Sequence, residues 1–246
     1  MDDLRNFFAI PGWYQPLSPF TFETKFVKLR TDAIAALADS YNSGTDISMD
    51  CEMSKQVIAD LRPVMKKISG NSFVSVDCCA PTDTERFVSK GGAVFSPESA
   101  WFFLSRSKKV AKAAAAGKVE YVCIRPYRHI SKAREFRLFV YEGKLSAMSQ
   151  YYLIRHFRRL EGAKERLWEK AEKFIEEIIW LLPVKTLVMD IYFTSDEDIM
   201  IIDLNQWGAP TEPLMLDTWE RDWSEKAGIV LMPPPIQISG DVNISF

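Results

Sequence analysis

The sequence is poor in the residues that bind transition metals or cross-link secreted domains. Its 246 residues include four cysteines, Cys51, Cys78, Cys79 and Cys123, and two histidines, His129 and His156. No Cys-x-x-Cys pair occurs, which argues against a structural zinc site and a disulfide framework. Reduced thiols in a cytoplasmic protein are the expectation, and a cysteine–histidine nucleophile pair is a remote alternative. No window holds the roughly 18 uncharged apolar residues of a membrane span. The start, Met1-Asp2-Asp3-Leu4-Arg5, has no basic segment leading into a long apolar run, so no secretory signal is expected. An excess of one charge is missing too. Thirty-one basic and thirty-three acidic residues leave a net charge of -2, with no global pull toward nucleic acid or anionic lipid. Internal repeats and long low-complexity segments are absent.

What is present is a mixed α+β order over a length that suits one large domain or two closely packed lobes. The first thirty residues, rich in proline and aromatics (Pro11, Trp13, Tyr14, Pro16, Pro19, Phe20), read as an extended arm. Thr31 or Asp32 is expected to cap a helix carrying Ile34, Leu37 and Tyr41. A second helix is predicted from Ser54 to Ile68 and a strand from Asn71 to Cys78. Ser96-Pro97-Glu98 starts a helix predicted to run to Gly117, and a strand follows from Val119 to Arg125. Residues 135–141 and 144–153 flank Glu142-Gly143 as a hairpin. The strongest helix runs from Glu161 to Leu182, with Leu167, Ala171, Phe174, Ile175, Ile178 and Leu182 in one stripe. Trp168 and Trp180 on it are expected to be core or interface anchors. Two further strands, Leu187–Phe193 and Ile199–Gln206, precede a tail containing Pro233, Pro234 and Pro235, which is expected to be a strap or a partner contact.

The chemistry concentrates on two hairpins. Asp190 lies within Leu187-Val188-Met189-Asp190-Ile191-Tyr192-Phe193, and Asp203 and Asn205 lie within Ile201-Ile202-Asp203-Leu204-Asn205. A carboxylate in an apolar strand is costly unless paired or bound to a cation. Asp203 and Asn205 leave one face of their strand. If the turn centres on Asp196-Glu197, Asp190 falls opposite Asp203. These hard oxygen donors suit magnesium; the alternative is a metal-free pair of edge-strand polar residues. In the other hairpin, a two-residue Glu142-Gly143 turn sets Glu135 against Gln150 and Arg137 against Met148. Glu135, Arg137 and Gln150 would then share a face, with Arg137 free to grip a phosphate and Glu135 orienting it. The alternative is an ordinary salt-bridged surface. His129 reads as a surface residue, and His156 as part of a local basic patch with Arg155, Arg158 and Arg159, too small for nucleic-acid binding.

Glu135-Phe136-Arg137-Leu138-Phe139-Val140, Ser149-Gln150, Met189-Asp190-Ile191-Tyr192 and Ile202-Asp203-Leu204-Asn205-Gln206-Trp207-Gly208 together resemble the cell division cycle protein 123 family. Ile10-Pro11-Gly12-Trp13-Tyr14, Ala80-Pro81-Thr82-Asp83 and Thr218-Trp219-Glu220 extend the resemblance over most of the chain. The resemblance implies an α+β, ATP-grasp-like fold of two lobes, 1–118 and 119–246, with mixed or antiparallel sheets and a nucleotide cleft between them. It also implies ATP and Mg2+ as ligands and a translation initiation factor subunit as protein client. By the same resemblance Asp190, Asp203 and Asn205 are the magnesium ligands, and Arg125 and Tyr127 border the adenine. Glu135, Arg137 and Gln150 touch the nucleotide, and Asp77 stands where the family has an asparagine beside it. Ser75, Thr82, Pro126 and Tyr151 replace basic residues of the family, a loss of positive charge that Lys90, Arg86, Lys132 or Arg155 would offset. Lys90-Gly91-Gly92 reads as either a phosphate-covering loop or a plain turn. A long acidic insertion after the Pro97 helix and an extended C-terminal tail are missing, as in a divergent branch with a different client. Three functions stay open: an ATP-dependent assembly chaperone, an ATP-grasp carboxylate–amine ligase without a clear catalytic base, and a nucleotide-free binding protein.

Overall fold

The computed structural model describes residues 7–235; the reading of Met1–Arg5 lies outside them. The chain divides into two compact units, Met1–Ile130 with Met200–Leu204, and Ser131–Ile199 with Asn205–Phe246.

The first unit opens with helix α1, Ile10–Leu17, where proline density predicted an extended arm. Pro11 falls in the first turn, where a missing N–H costs no hydrogen bond. Ile10, Trp13 and Leu17 then recur at helical spacing and are buried, and that burial outweighs the second proline, Pro16. Strand β1, Lys25–Lys28, follows. Helix α2, Thr31–Ser43, is preceded by Arg30 as its N-cap, so neither Thr31 nor Asp32 caps it. Thr31 is already helical, and Asp32 spends its carboxylate on the Ala33 N–H at 2.9 Å. Leu37 is buried, but Tyr41 is 46% exposed. Gly44, at φ +67°, ends the helix in the left-handed conformation that suits glycine. Helix α3, Glu52–Met65, buries Val57, Ile58, Leu61 and Met65, as its spacing predicts.

Strand β2, Ser72–Val76, and the short helix α4, Glu85–Lys90, come next. The long helix predicted from Ser96 is two helices, α5, Pro97–Ser105, and α6, Lys108–Ala115. Ser96 caps the first through a capping box. The break arises because Ser107 caps the second, its hydroxyl accepting the Val110 N–H. Strand β3, Tyr121–Pro126, lies between β1 and β2 in an antiparallel sheet of order β1-β3-β2. Strand alternation sorts this sheet into two faces. Val27, Val74, Val122 and Ile124 meet Leu37, Leu61, Trp101 and Leu104 of the helices in one core. Each such side chain contributes about 1.5–3 kcal/mol on burial. Ser75, paired with Cys123, and Arg125, paired with Phe73, lie on the opposite face.

The second unit is built on strands β4, Glu135–Tyr141, β5, Lys144–Gln150, and β6, Leu187–Phe193. Helices α7, Arg158–Glu161, and α8, Lys164–Ile178, stand between β5 and β6. With β7, Ile199–Asn205, of which residues 200–204 are counted with the first unit, and β8, Gly228–Val230, the strand order of the sheet is β7-β6-β4-β5-β8. The predicted helix from Glu161 is thus two pieces and ends in a 3-10 turn, Ile179–Leu181. Its apolar stripe is buried as predicted, whereas Trp180 is 74% exposed and no core anchor.

The β4–β5 turn is Glu142-Gly143, both at positive φ (48° and 82°). Its register corrects the expected pairing. Val140 pairs with Leu145 but Phe139 with Ala147, so Ser146 is an extra residue in β5. Arg137 therefore pairs with Ser149, and Phe136 with Gln150. The Ser146 hydroxyl binds the Trp223 carbonyl at 2.7 Å, which gives the extra residue a buried partner.

Candidate functional site

The second unit gathers Glu135, Arg137, Asp190 and Asn205. Arg137 sits directly opposite Asp190 across β4 and β6. Its Nε and Nη2 donate to the two carboxylate oxygens at 2.7 and 2.9 Å, and its Nη1 donates to the Glu212 carbonyl at 2.7 Å. The two side chains are 8% and 7% exposed. Such a two-pronged pair is the geometry in which guanidinium and carboxylate bind most strongly. Asn205 adds an amide hydrogen bond to Asp190 Oδ2 at 3.2 Å. Arg137 was expected to be free for a phosphate; its fork is instead spent on Asp190. The sequence hid this pairing because the partners are 53 positions apart on strands that pair only in the fold.

Glu135 shares the Arg137 face, two residues away on β4. Burial pushes its carboxyl up to about 7, the Asp190 charge adds to that, and Lys132 and Arg137 oppose it. Gln150 is not on this face. The extra residue Ser146 turns it to the face of Phe136, where it is fully buried. Its amide donates to the carbonyls of Tyr152 and Arg155 and accepts the Met232 N–H. All of its observed partners are backbone groups of this unit.

Further along the Arg137 face, Phe139 stacks on Trp223 with ring centroids 5.2 Å apart, and Trp207 meets Trp223 at 4.7 Å. Of these aromatics, Trp207 lies in the stretch from Ile202 to Gly208 quoted in the sequence analysis. The β6–β7 loop closes between Thr194 and Asp198, whose N–H···O bond is 2.9 Å. Its three residues Ser195–Glu197 exceed by one the Asp196-Glu197 turn from which the Asp190–Asp203 opposition was counted. Glu197 takes the left-handed conformation there (φ 63°) and pairs with Arg166 and Lys170. His156, expected in a basic patch, is half-buried with Nδ1 at 2.9 Å from the Met232 carbonyl.

In the first unit, Arg125 and Ser75 lie on the sheet face away from the helices. Arg125 is 7% exposed. Its Nε donates to Thr24 Oγ1 at 2.9 Å and its Nη1 to the Ile202 carbonyl at 3.1 Å. Its Nη2 is buried and has no hydrogen-bond partner among the described residues. Burial pulls this guanidinium down, and the nearby Asp203 charge opposes that. Asp203 Oδ1 accepts the Leu204 N–H at 3.0 Å. In β7 the buried residues are Ile201 and Leu204, three apart, so strict alternation lapses and Asp203 escapes the buried face.

Asp77 lies just past β2. Its Oδ2 accepts the N–H groups of Glu120 and Tyr121 at 2.7 and 2.9 Å, and burial nevertheless raises its carboxyl. Tyr127 is half-buried, with its hydroxyl over Gly91. Lys90 is exposed, its ammonium 5.9 Å from the Phe95 ring. Gly91 and Gly92 both have positive φ (61° and 81°).

Two ligand chemistries can be tested against these residues. Among the described residues no group of three or more His, Cys, Asp or Glu side chains is placed to hold a metal ion. The hard-oxygen set is two carboxylates and one amide. An ionised carboxylate has about four acceptor positions, and Arg137 and Asn205 use three at Asp190, so a cation there has little room beside Arg137. The donor chemistry suits magnesium; the electrostatic vacancy at Asp190 is filled. At Arg125 the orphaned Nη2 is a buried donor without an acceptor, which fits a polar ligand atom.

A family model described as D123 matches residues 55–226. A Xenopus laevis protein named translation initiation factor eIF2 assembly protein is 33% identical over 99 residues, covering 40% of this chain and 29% of that protein. Cell division cycle protein 123 of Candida glabrata is 24% identical over 175 residues, covering 68% of this chain and 49% of its own length. The matched region thus spans half or less of these curated relatives. The solved structure of C-terminally truncated Cdc123 from Schizosaccharomyces pombe superposes with a TM-score of 0.78 at 18% identity, covering 94% of this chain and 98% of that one. The α+β fold with its two sheets is therefore shared with that structure.

Proposed function

Since the D123 match takes in well over half of the sequence and the chain therefore belongs to the D123 family, we propose that it assists assembly of the translation initiation factor eIF2. The observation that carries this reading is the family match, supported by relatives named as eIF2 assembly proteins. On this reading the ATP-grasp-like fold binds ATP with Mg2+ and uses it to hold the client-gripping shape. Arg125 offers its spare donor to the nucleotide, and Asp203 supplies an oxygen ligand. The four cysteines are unbonded thiols, as a reducing compartment such as the cytoplasm maintains.

One observation favours a second reading, in which the protein keeps the fold and binds no nucleotide. Arg137 already neutralises Asp190 through both of its oxygens. A thermal-melting titration with ATP and Mg2+ separates the two, because a ligand bound to the folded state raises apparent stability by mass action. Capture of purified eIF2 subunits by the tagged chain tests the assembly role itself. Capture weakened by Asp203→Ala supports the nucleotide-dependent form. Capture that survives Asp203→Ala, with no melting shift at millimolar nucleotide, supports the second reading. No capture of any subunit overturns the assembly role.

A further inference from the structure

Two adjacent thiols lie outside the roles described above. Cys78 and Cys79 follow Asp77 in a tight turn closed by Val76 and Cys79, with N–H···O bonds of 2.9 and 3.4 Å. Consecutive residues of a regular strand point to opposite faces. Here Cys78 is a central residue of the turn, so the alternation is broken. The Cys78 thiol reaches the Lys118 carbonyl at 3.7 Å. Both residues are half-buried, so reagents reach them while the turn limits their motion. The other cysteines differ. Cys123 is fully buried in β3, and Cys51 is a single thiol on Ser48 and Ser54.

We propose that Cys78 and Cys79 form a dithiol site that chelates a soft trivalent electrophile of the arsenical class. Soft thiolate ligands select soft, thiophilic centres, and two thiols held in one turn bind such a centre as a ring. With an arsenous oxide R–As=O, two S–As bonds form and the As=O bond breaks. The two thiol protons leave with that oxygen as water, and arsenic stays trivalent throughout. The neighbouring Cys79 holds the Cys78 thiol below its ordinary value, while the same neighbour and burial push the Cys79 thiol up, so the first attack falls to Cys78. Asp77 holds the turn in place through the Glu120 and Tyr121 N–H groups.

The test uses the full chain and phenylarsine oxide, read by intact mass. One arsenical per chain is expected, resisting excess mercaptoethanol and released by dimercaptopropanol. Cys78→Ser and Cys79→Ser should each lose the dithiol-specific adduct, and Cys51→Ser should keep it. Alkylation with iodoacetamide of the unmutated protein, mapped by peptide mass, covers the case in which a serine variant fails to fold. There the arsenical should protect Cys78 and Cys79 together. The proposal is overturned by an adduct that survives either serine substitution or yields to mercaptoethanol, by no adduct at all, or by protection confined to Cys51 or Cys123.

Discussion

Replacing Arg137 with methionine tests how the second unit is held together. The substitution removes the guanidinium that binds both oxygens of Asp190 in a setting where the two side chains are 8% and 7% exposed. Breaking one partner of a buried pair costs about 3–5 kcal/mol, because the other charge is left uncompensated. Asn205, at 3.2 Å, is neutral and does not replace the lost charge. For a chain of this size the loss corresponds to a fall in melting temperature of about 10 °C. The double variant Arg137→Met with Asp190→Leu removes both charges and keeps the volume. Its remaining penalties are the Glu212 carbonyl and the Asn205 amide, about 1 kcal/mol each, so it should lie within about 2 kcal/mol of the parent. Urea unfolding read by tryptophan fluorescence measures all of these variants, since Trp207, Trp219 and Trp223 cluster around Phe139 on the same sheet face as the pair. A single-variant cost below about 1 kcal/mol would place the pair in the solvent-screened class and refute the burial argument. Additivity of the two single substitutions would refute the coupling.

Three further predictions rest on separate observations. Glu135 has its folded carboxyl raised from 4.5 to about 7, so its contribution to stability is full below pH 4.5 and is lost as pH rises through about 7; Glu135→Gln should flatten that fall, worth at most about 3 kcal/mol, in melting temperatures taken across pH 4–8. Gly91→Ala puts a methyl 2.7 Å from the Tyr127 hydroxyl at φ +61° and should cost about 1–2 kcal/mol. Adding Tyr127→Phe should recover part of that loss, and no recovery would mean that the backbone conformation alone sets the cost. Ser107→Ala should lower stability by about 1 kcal/mol through loss of the α6 cap, measured by urea midpoint, while an unchanged midpoint would remove Ser107 as the reason α5 and α6 are separate.

The legible parts of the fold were those written in short-range pattern. The α8 stripe, the α3 face and the Glu142-Gly143 hairpin follow from spacing and turn chemistry alone. The misread parts depended on details that apolar periodicity does not carry. Ser146 looks like any strand serine, yet as an extra residue it shifts the β4–β5 register and turns Gln150 away from Arg137. Pro11 and Pro16 argue locally against a helix, and the burial of Trp13 and Leu17 decides for one. The isolated acidic side chain of Asp190 signalled a partner, since an unpaired buried carboxylate is untenable. It could not say whether that partner was a metal ion or an arginine on another strand.

That distinction changes the electrostatics of the candidate site. Read from the strand alone, Asp190 and Glu135 make this face anionic, a poor neighbour for a polyphosphate. In the fold, Arg137 cancels Asp190, and Glu135, raised to about 7, is neutral over much of the acid-to-neutral range. The cluster of Glu135, Arg137 and Asp190 thus carries little net charge below pH 7. Asp203 is electrostatically coupled to Arg125, again an acid beside a buried base. Each carboxylate expected to attract a cation therefore has a protein cation near it. A nucleotide carrying its own magnesium asks these residues for orientation and spare oxygens more than for charge, because the ion travels with phosphate ligands already in place.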